Sequence, residues 1–235
     1  MIEGPKLVAE AARAGIDLDV VYVGEGATLP DVGQASVRIV SDGVLERVLD
    51  TVSPQPIAAL AALPSHSFTD VVRRPGLVLV GDRIGDPGNV GTIARSLEAF
   101  GGAGLVLTTE SADPFQPKVV RASAGAVLRL PIVDAVSPAA VAAECRLAGR
   151  RLLVTTMAGG TSMDEADLSG EVVIVVGSEA HGVCEKLVDA ADELITIDMA
   201  GPTESLNVAM AASILAYEAA RARRSSSSRW HEPLS

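Results

Sequence analysis

The sequence predicts an α/β protein built on a mainly parallel β-sheet. From Leu77 onward, short apolar runs alternate with segments of helical periodicity. The run "VVIVVG" at 172–177 is apolar at almost every position, which is typical of strands covered by helices on both faces of a parallel sheet. Ser137 and Pro138 mark a helix start between two such runs, as an N-cap followed by a proline at the first helical position.

Residues 1–64 predict a small α/β domain that precedes this sheet. Its predicted elements are, in order, a helix over 7–14, strands over 19–24 and 37–42, a helix over 43–52 and the closing segment 56–63. Ser41 is placed to cap the second helix. Segment 65–76 loses periodicity and contains Pro, Ser and paired Arg residues, so it is interpreted as a linker.

Residues 77–224 form the larger predicted domain. Its predicted strands are 77–81, 104–108, 129–133, 151–156, 172–177 and 194–198. Its predicted helices are 89–100, 116–127, 138–149 and 205–224. Segment 225–235 is rich in Ser and Arg, a low-complexity composition that predicts a disordered tail.

Bulk composition excludes several classes of protein. The chain has 235 residues, 48% of them hydrophobic, which is enough for a full core. It contains neither an apolar run near the ~18 residues of a membrane span nor a charged start followed by an apolar block. We therefore expect a cytoplasmic protein with no membrane segment. Cys145 and Cys184 lack CxxC spacing and are expected to be buried free thiols. The histidines lack metal-ligand spacing, so no metal is expected.

The charge balance bears on nucleic-acid binding. A net charge of −11 argues by itself against it, because phosphate contacts need a basic footprint. Acidic residues outnumber basic ones in both predicted domains, so any RNA contact must depend on a local patch. The low aromatic content, 3%, leaves few platforms for stacking on bases.

The loop "GDPGNVG" at 85–91 lies between a predicted strand and a predicted helix, a common place for a ligand in α/β proteins. It lacks the Lys-Ser/Thr pair of a P-loop, and its glycines are three apart rather than in GxGxxG spacing. The buried stripe of the following helix is expected to be Val90, Ile93, Ala94, Leu97 and Phe100. Arg95 lies off this stripe, where it either pairs with Glu98 at i+3 or serves a ligand site.

Two further polar turns follow apolar strands. "VVGSEAHGV" at 175–183 contains Glu179, which is either a ligand-site carboxylate at a strand end or an acid at a helix N-terminus. "GPTESLN" at 201–207 opens the last long helix. Ser205 and Asn207 could cap that helix or reach a neighbouring loop, and capping accounts for only one of them.

Together and in this order, the three motifs resemble those of the SpoU/TrmH family of the SPOUT class, AdoMet-dependent RNA 2′-O-ribose methyltransferases. The matching segments are "DRIGDPGNVGTIARSLEAFG", "VIVVGSEAHGV" and "ITIDMAGPTESLNVAMAASILAYE", with "RASAGAVLRLPI" between the first two. The resemblance covers about residues 77–222. More weakly, "EGPKLVAEA" and "SPQPIAAL" resemble the ribosomal-protein-like substrate-binding domain of many members.

The resemblance implies a fold and an assembly that periodicity does not show. The family's parallel sheet ends in a C-terminal trefoil knot, AdoMet binds bent in the loops of that knot, and the enzymes act as homodimers with the site at the subunit interface. Members with the first domain often begin with a basic segment before the "EGP" stretch. Here Glu3 lies two residues from Met1, so the domain is expected to be N-terminally shortened or to grip RNA differently.

The resemblance also assigns residues. The implied catalytic positions are Asn89, Arg95, Glu179, Ser205 and Asn207. The implied cofactor positions are Thr155, Thr156, Gly177, Ile197, Met199, Ser205 and Leu206, with Gly177 expected where adenine passes close to the backbone. RNA contacts are expected from Arg73, Arg74 and Arg121, with Arg83, Lys118 and Arg129 as further candidates. The implied substrate is RNA, with rRNA favoured over tRNA.

Two other functions stay open. A catalytically idle RNA-binding protein of the same fold is the main alternative, and the intact motif residues argue against it. A nucleotide-binding dehydrogenase is disfavoured by the glycine spacing of the 85–91 loop.

Overall fold

The N-terminal part of the chain folds around a small mixed sheet. The structure, a computed structural model, describes residues 1–49, 51–203 and 205–228, with side chains to Ser225. The first elements are β1 (Ile2–Glu3), α1 (Pro5–Arg13), β2 (Leu18–Gly24), β3 (Ser36–Val40), α2 (Val44–Val48) and β4 (Ile57–Ala61). In the described residues these strands form a four-stranded sheet in the order β1-β4-β2-β3, in which only β2 and β3 run parallel. Val8 and Ala11 of α1 are buried in the same apolar core as Val119 and Leu128.

The rest of the chain builds a parallel sheet, which confirms the predicted fold class. Its strands are β5 (Val78–Asp82), β6 (Gly104–Thr108), β7 (Ile132–Val136), β8 (Arg151–Thr155), β9 (Thr161–Ser162), β10 (Val172–Gly177) and β11 (Glu193–Thr196). Its helices, together with the one that leads into the sheet, are α3 (Phe68–Arg73), α4 (Pro87–Ala99), α5 (Pro117–Ala122), α6 (Pro138–Ala148), α7 (Glu185–Val188) and α8 (Val208–Ser228). Within the described ranges the sheet has seven strands in the order β7-β6-β5-β10-β8-β11-β9, and every neighbouring pair is parallel.

Apolar layers cover both faces of the central strands. Leu79 and Ile174 point to a core shared with α4 and α8, whereas Val80 and Val175 point to a second core shared with α3, α6 and α7. The alternation of side chains along a strand places every second residue on each face. Because both faces are buried, nearly every position of these strands must be apolar, which is the pattern that the sequence displays.

Several boundaries differ from those predicted. The strand predicted at 129–133 begins at Ile132, because Ala126–Leu128 form a 3₁₀ turn before it. The helix predicted over 116–127 ends at Ala122, because the chain turns through left-handed conformations at Ala124 (φ 49°) and Gly125 (φ 80°). The elements β1, β9 and α7 were not predicted, because each is too short for its hydrophobic periodicity to be recognised.

The two polar stretches of the chain also contain helical structure. Segment 65–76, predicted as a linker, includes α3, whose Val71 and Val72 are buried. Helix α8 continues through residues 225–228 of the predicted tail, and residues 229–235 lie outside the described residues. In the described part of the chain no helix is both long and apolar enough to cross a membrane.

Candidate active site

The candidate site lies where the strand order of the parallel sheet reverses. From β5 the chain builds outward through β6 and β7, and then returns to place β8 and β10 on the other side of β5. The carboxyl ends of β5 and β10 are neighbours, and Asp82 and Gly177 are register partners there. Open α/β sheets bind their ligands in the crevice at such a reversal.

Local capping fixes the helices that carry the motif residues. The Asp86 side chain accepts a hydrogen bond from the Asn89 backbone N–H at 3.0 Å, and Pro87 stands at the first helical position, so α4 begins here. Asn207 Oδ1 accepts from the N–H groups of Ala209 (3.0 Å) and Met210 (3.3 Å), so Asn207 caps α8.

Asn89, Glu179 and Asn207 meet and form what we call the polar junction. Glu179 Oε1 accepts from Asn207 Nδ2 at 2.5 Å, from the Val208 N–H at 3.2 Å and from Asn89 Nδ2 at 3.4 Å. Asn207 Nδ2 also donates to Asn89 Oδ1 at 3.0 Å. One carboxylate oxygen thus joins the three loops that the sequence left separate. Asn207 both caps its helix and reaches neighbouring loops, so the two alternatives for this residue hold together.

Arg95 presents its guanidinium away from the core. It lies on the exposed side of α4, six residues or about 9 Å along the helix axis from Asn89. The alternative pairing with Glu98 is wrong, because Glu98 instead binds Arg129, at 2.5 Å from Nε and 2.9 Å from Nη2. Among the described residues, Arg95 has no hydrogen-bond or ion-pair partner.

A cleft of about 490 Å³ adjoins the polar junction. It is lined by the positions assigned to a cofactor in the sequence: Thr155, Thr156, Gly177, Ile197, Met199, Ser205 and Leu206. Its size lies within the ~300–1,000 Å³ typical of small-molecule sites. Further residues that the sequence did not indicate also line the cleft, among them Met157, His181, Leu194 and Ala211. Met157 directly follows Thr156 and His181 lies two residues after Glu179, so extending each motif by two residues would have included them.

Gly177 is required by the protein's own backbone. A Cβ atom at this position would collide with the backbone of Gly182 and Val183, because the loop after β10 folds back over the end of the strand. The Gly182 N–H donates to the Ser178 carbonyl at 2.8 Å, and the His181 N–H donates to Ser178 Oγ at 3.2 Å. The expected reason, a close approach by adenine, is therefore not needed to explain this glycine. A larger residue here would disturb the loop whether or not a ligand binds.

The candidate RNA-binding cations differ in whether their side chains already form ion pairs within the protein. Arg73, Arg74 and Lys118 are exposed, and their side chains have no partner among the described residues. Arg121 lies 3.6 Å from the Glu3 carboxylate. Arg129 is held by both Glu98 and Glu10, and the hydrogen bond with Glu98 raises its pKa. Arg129 is thus a structural residue rather than a free phosphate ligand.

The described residues contain neither a thiol with a lowered pKa nor a cluster of acidic side chains of the kind that holds a metal ion. Burial raises the pKa of Cys145 to about 11, and it also raises the pKa of Cys184, so neither thiol is poised as a nucleophile. Both thiols are free, as expected, and Cys145 is buried whereas Cys184 is half-buried. Across residues 1–49, 51–203 and 205–228, no group of three or more His, Cys, Asp or Glu side chains is arranged to hold a metal ion.

Comparison with known proteins assigns a family to this geometry. Residues 76–217 match the SpoU rRNA Methylase family. An uncharacterized tRNA/rRNA methyltransferase of Mycolicibacterium vanbaalenii is 32% identical, over 96% of this chain and 77% of the relative. The 23S rRNA (guanosine(2553)-2′-O)-methyltransferase RlmP of Bacillus subtilis is 31% identical, over 92% of this chain and 86% of that protein.

Solved structures share the fold over nearly the whole chain. The SpoU methyltransferase AviRb from Streptomyces viridochromogenes, in complex with AdoMet, superposes with a TM-score of 0.85 at 27% identity, covering 95% of this chain and 89% of that one. An AdoMet-bound rRNA methyltransferase from Sinorhizobium meliloti gives a TM-score of 0.83 at 30% identity, covering 93% and 85%.

Proposed function

The chain belongs to the SpoU rRNA methylase family, and on that premise we propose that it transfers a methyl group from AdoMet to a ribose 2′-hydroxyl of structured RNA. The observation that carries the proposal is the polar junction, in which Glu179 joins the three family motifs beside a ligand-sized cleft. The similarity to RlmP, a 2′-O-methyltransferase of 23S rRNA, favours ribose over base methylation and rRNA over tRNA.

The cleft fits the proposed cofactor. Its floor is formed by the carboxyl-terminal ends of β8, β10 and β11 and its walls by small or apolar side chains such as Ile197 and Leu206, which suit an adenine ring. The hydroxyl groups of Thr155 and Thr156 line the cleft and donate to the carbonyls of Val175 and Ala158, so each can still accept a hydrogen bond from a ligand. When bound, AdoMet supplies an electrophilic methyl group on a sulfonium centre. The chain's own task is to bring a ribose hydroxyl to that position and to stabilise the charge that develops there.

Arg95 is proposed to stabilise that charge. A ribose 2′-hydroxyl is a weak acid, and a guanidinium stays protonated in proteins, so Arg95 is a poor general base. Its positive charge beside the hydroxyl stabilises the oxyanion as it forms, and the proton can leave through an RNA phosphate. Its lack of a protein partner within the described residues leaves its donors for RNA.

The other motif residues are proposed to orient the substrate. Glu179 uses Oε1 for its three protein donors, which leaves Oε2 without a partner in the described residues and able to accept from a ribose hydroxyl. Asn89 and Asn207 hold that carboxylate in place. Ser205 is exposed at the edge of the cleft and is proposed to contact the cofactor or the ribose.

Assembly and RNA binding belong to the same proposal. Met210 is 56% and Tyr217 48% exposed on α8, close in sequence to the junction, which supports a homodimer that covers them. The small N-terminal unit is proposed as a substrate-binding domain, with Arg73, Arg74 and Arg121 contacting phosphates. The C-terminal trefoil knot remains a prediction from the family resemblance, and a cytoplasmic location remains a prediction from the composition of the chain.

Mapping of ribose methylation tests the function. In cells lacking this protein, one 2′-O-methyl group of ribosomal RNA is expected to disappear, because each such enzyme acts on a defined structural context in RNA. Mass spectrometry of total RNA from deleted and complemented cells measures this. Loss of a base methyl group instead, or an unchanged ribose methylation map, would contradict the proposed reaction. A loss confined to tRNA would reassign the substrate.

Filling the cleft tests where the cofactor binds. Ala211 lies on α8 and lines the cleft, so Ala211→Phe is expected to weaken AdoMet binding about tenfold or more, which corresponds to ~1.4 kcal/mol. Isothermal titration measures the affinity, with NAD as the ligand expected to give no binding. The matched control is Ala143→Phe on the exposed side of α6, which should leave AdoMet affinity unchanged. Equal affinity of both variants would show that this cleft is not the cofactor site.

A further inference from the structure

Asp82 ties down both ends of the loop that carries Glu179. It is the last residue of β5 and is 0% exposed. Its backbone carbonyl accepts from the Ser178 N–H at 3.1 Å, at the start of loop 178–184. Its side-chain Oδ2 accepts from the Cys184 N–H at 2.8 Å, at the end of that loop. Asp82 thus binds residues on both sides of Glu179 and holds the two ends of the loop that carries it.

Arg83 holds the same loop at a third point. Its backbone is in the left-handed region (φ 56°), which L residues adopt rarely, and its N–H donates to Thr108 Oγ1 at 3.0 Å. Arg83 Nη2 donates to the Gly182 carbonyl at 3.2 Å, while Nε lies 3.4 Å from Asp82 Oδ2. The Asp82 carboxylate therefore also supplies the counter-charge beside the guanidinium that grips the loop.

The Asp82 side chain faces two hydrogen-bond donors and a guanidinium, a setting that suits an ionised acid better than a neutral amide. Thr108 Oγ1 donates to Asp82 Oδ1 at 2.8 Å, so donors approach both carboxylate oxygens. A carboxylate accepts on both sides, whereas an asparagine accepts on one and would direct N–H groups at the other. A buried charge is costly unless it is paired and hydrogen-bonded. The groups that face the Asp82 carboxylate are Cys184 at the end of loop 178–184, Arg83, which also binds that loop, and Thr108, which binds the Arg83 N–H.

We propose that Asp82 is a positioning residue for the methyl transfer, acting through loop 178–184 to hold Glu179 against Asn89 and Asn207. The inference rests on the proposed function for its catalytic part, whereas the tether itself is a property of the protein alone. Asp82 does not itself line the cleft and bonds to none of the three junction residues, so we expect its effect to pass through the loop.

Asp82→Asn tests the tether without substrate or cofactor. Hydrogen exchange, followed by mass spectrometry, is expected to speed up about tenfold or more for amides in 178–184, with smaller changes elsewhere in the sheet. The matched control is Asp192→Asn, which alters another carboxylate that accepts a backbone N–H, from Leu152 at 2.7 Å, but does not contact the loop. That control should leave the exchange of residues 178–184 as in the unmodified protein. Unchanged exchange in Asp82→Asn would overturn the proposal.

A double-mutant cycle tests the catalytic part. Asp82→Asn alone is expected to lower kcat roughly 10- to 100-fold, because small misplacements of an orienting group have effects of that size. If Asp82 acts through Glu179, adding Asp82→Asn to Glu179→Gln should cost less than about twofold more. A merely structural role would instead give additive losses, and that result would refute positioning through Glu179.

The same experiments remain decisive if Asp82→Asn does not fold or if the proposed function is wrong. Should Asp82→Asn fail to fold, Arg83→Met removes the third tether while keeping the carboxylate, and it should give the same pattern of exchange and non-additivity at smaller size. If the unmodified protein binds AdoMet yet methylates no RNA, the proposed function fails, and with it the catalytic role of Asp82. The exchange result would still decide whether Asp82 holds the loop.

Discussion

Replacing Arg95 by alanine is expected to slow methyl transfer to RNA roughly 10²–10³-fold, which is typical for the loss of one charge-stabilising donor. The affinity for AdoMet should stay within about twofold, because Arg95 does not line the cleft. The stability of the fold should change little, since Arg95 is exposed and makes no ion pair with the described residues. Single-turnover methylation of the mapped RNA, together with isothermal titration of AdoMet, measures the two effects separately.

Two variants sharpen this test. Arg95→Lys keeps the charge but loses the planar fork of donors, so it should recover only part of the rate. Arg146→Ala removes an exposed arginine from α6, remote from the junction, and should leave the rate unchanged. An Arg95→Ala enzyme that retained most of its turnover would remove this residue from the mechanism. Equal losses in both alanine variants would point to a general effect of charge on RNA binding.

Local patterns predicted the parts of the site that depend on neighbours in sequence. The apolar stripe of α4 is confirmed by the burial of Val90, Ile93, Ala94 and Leu97, because helical spacing alone decides which side chains share a face. Capping of α8 by Asn207 was likewise one of the two alternatives that its short polar side chain offered, although the helix begins at Val208 rather than at the predicted residue 205. These features need no knowledge of the rest of the fold.

Contacts between distant segments could not be predicted in the same way. Spacing of three along a helix favoured Arg95 as the partner of Glu98, but the structure brings Arg129 to Glu98 with two hydrogen bonds. A side-chain pair at i, i+3 stabilises a helix by only ~0.2–0.5 kcal/mol, so a tertiary contact such as that between Arg129 and Glu98 can replace it. The start of β7 was missed for a related reason, since its register is set by pairing of Ile132 with Leu105 on β6.

Buried charged residues were the least accessible to sequence analysis. Asp82 opens the first family motif but no local spacing predicts its burial, and Arg150 lies in none of the motifs, because the groups that bond to these two side chains are in distant segments. Arg150 is only 5% exposed and forms no salt bridge in the described residues. Desolvation lowers the pKa of its guanidinium. The hydrogen bonds of Arg150 cannot be predicted from sequence spacing, because their acceptors come close only when the chain has folded.

Arg150→Met is expected to lower the free energy of unfolding by about 3 kcal/mol, through the loss of hydrogen bonds to four carbonyl groups. Arg150 Nη1 donates to the carbonyls of Val72 (2.6 Å) and Arg74 (2.7 Å). Nη2 donates to the carbonyls of Gly76 and Val172. Each buried acceptor left unpaired costs ~1–3 kcal/mol, and release of the guanidinium from its own desolvation offsets part of the sum. The carbonyls belong to the end of α3, the bend between α3 and β5, and the start of β10, so the guanidinium joins the 65–76 segment to the sheet.

The adjacent arginine provides the control for this prediction. Arg151 pairs with Glu193 at 2.6 Å, but its side chain is 43% exposed, so Arg151→Met should cost no more than about 1 kcal/mol. Thermal unfolding measures both variants, and a loss of ~3 kcal/mol in a chain of this size corresponds to a fall in Tm of roughly 6–12 °C. Faster hydrogen exchange in α3 should accompany the fall for Arg150→Met alone, because α3 loses the donor that holds its last carbonyls. If the two variants unfold at the same temperature, the four carbonyls have found other donors, and α3 is held by the packing of Val71 and Val72 alone.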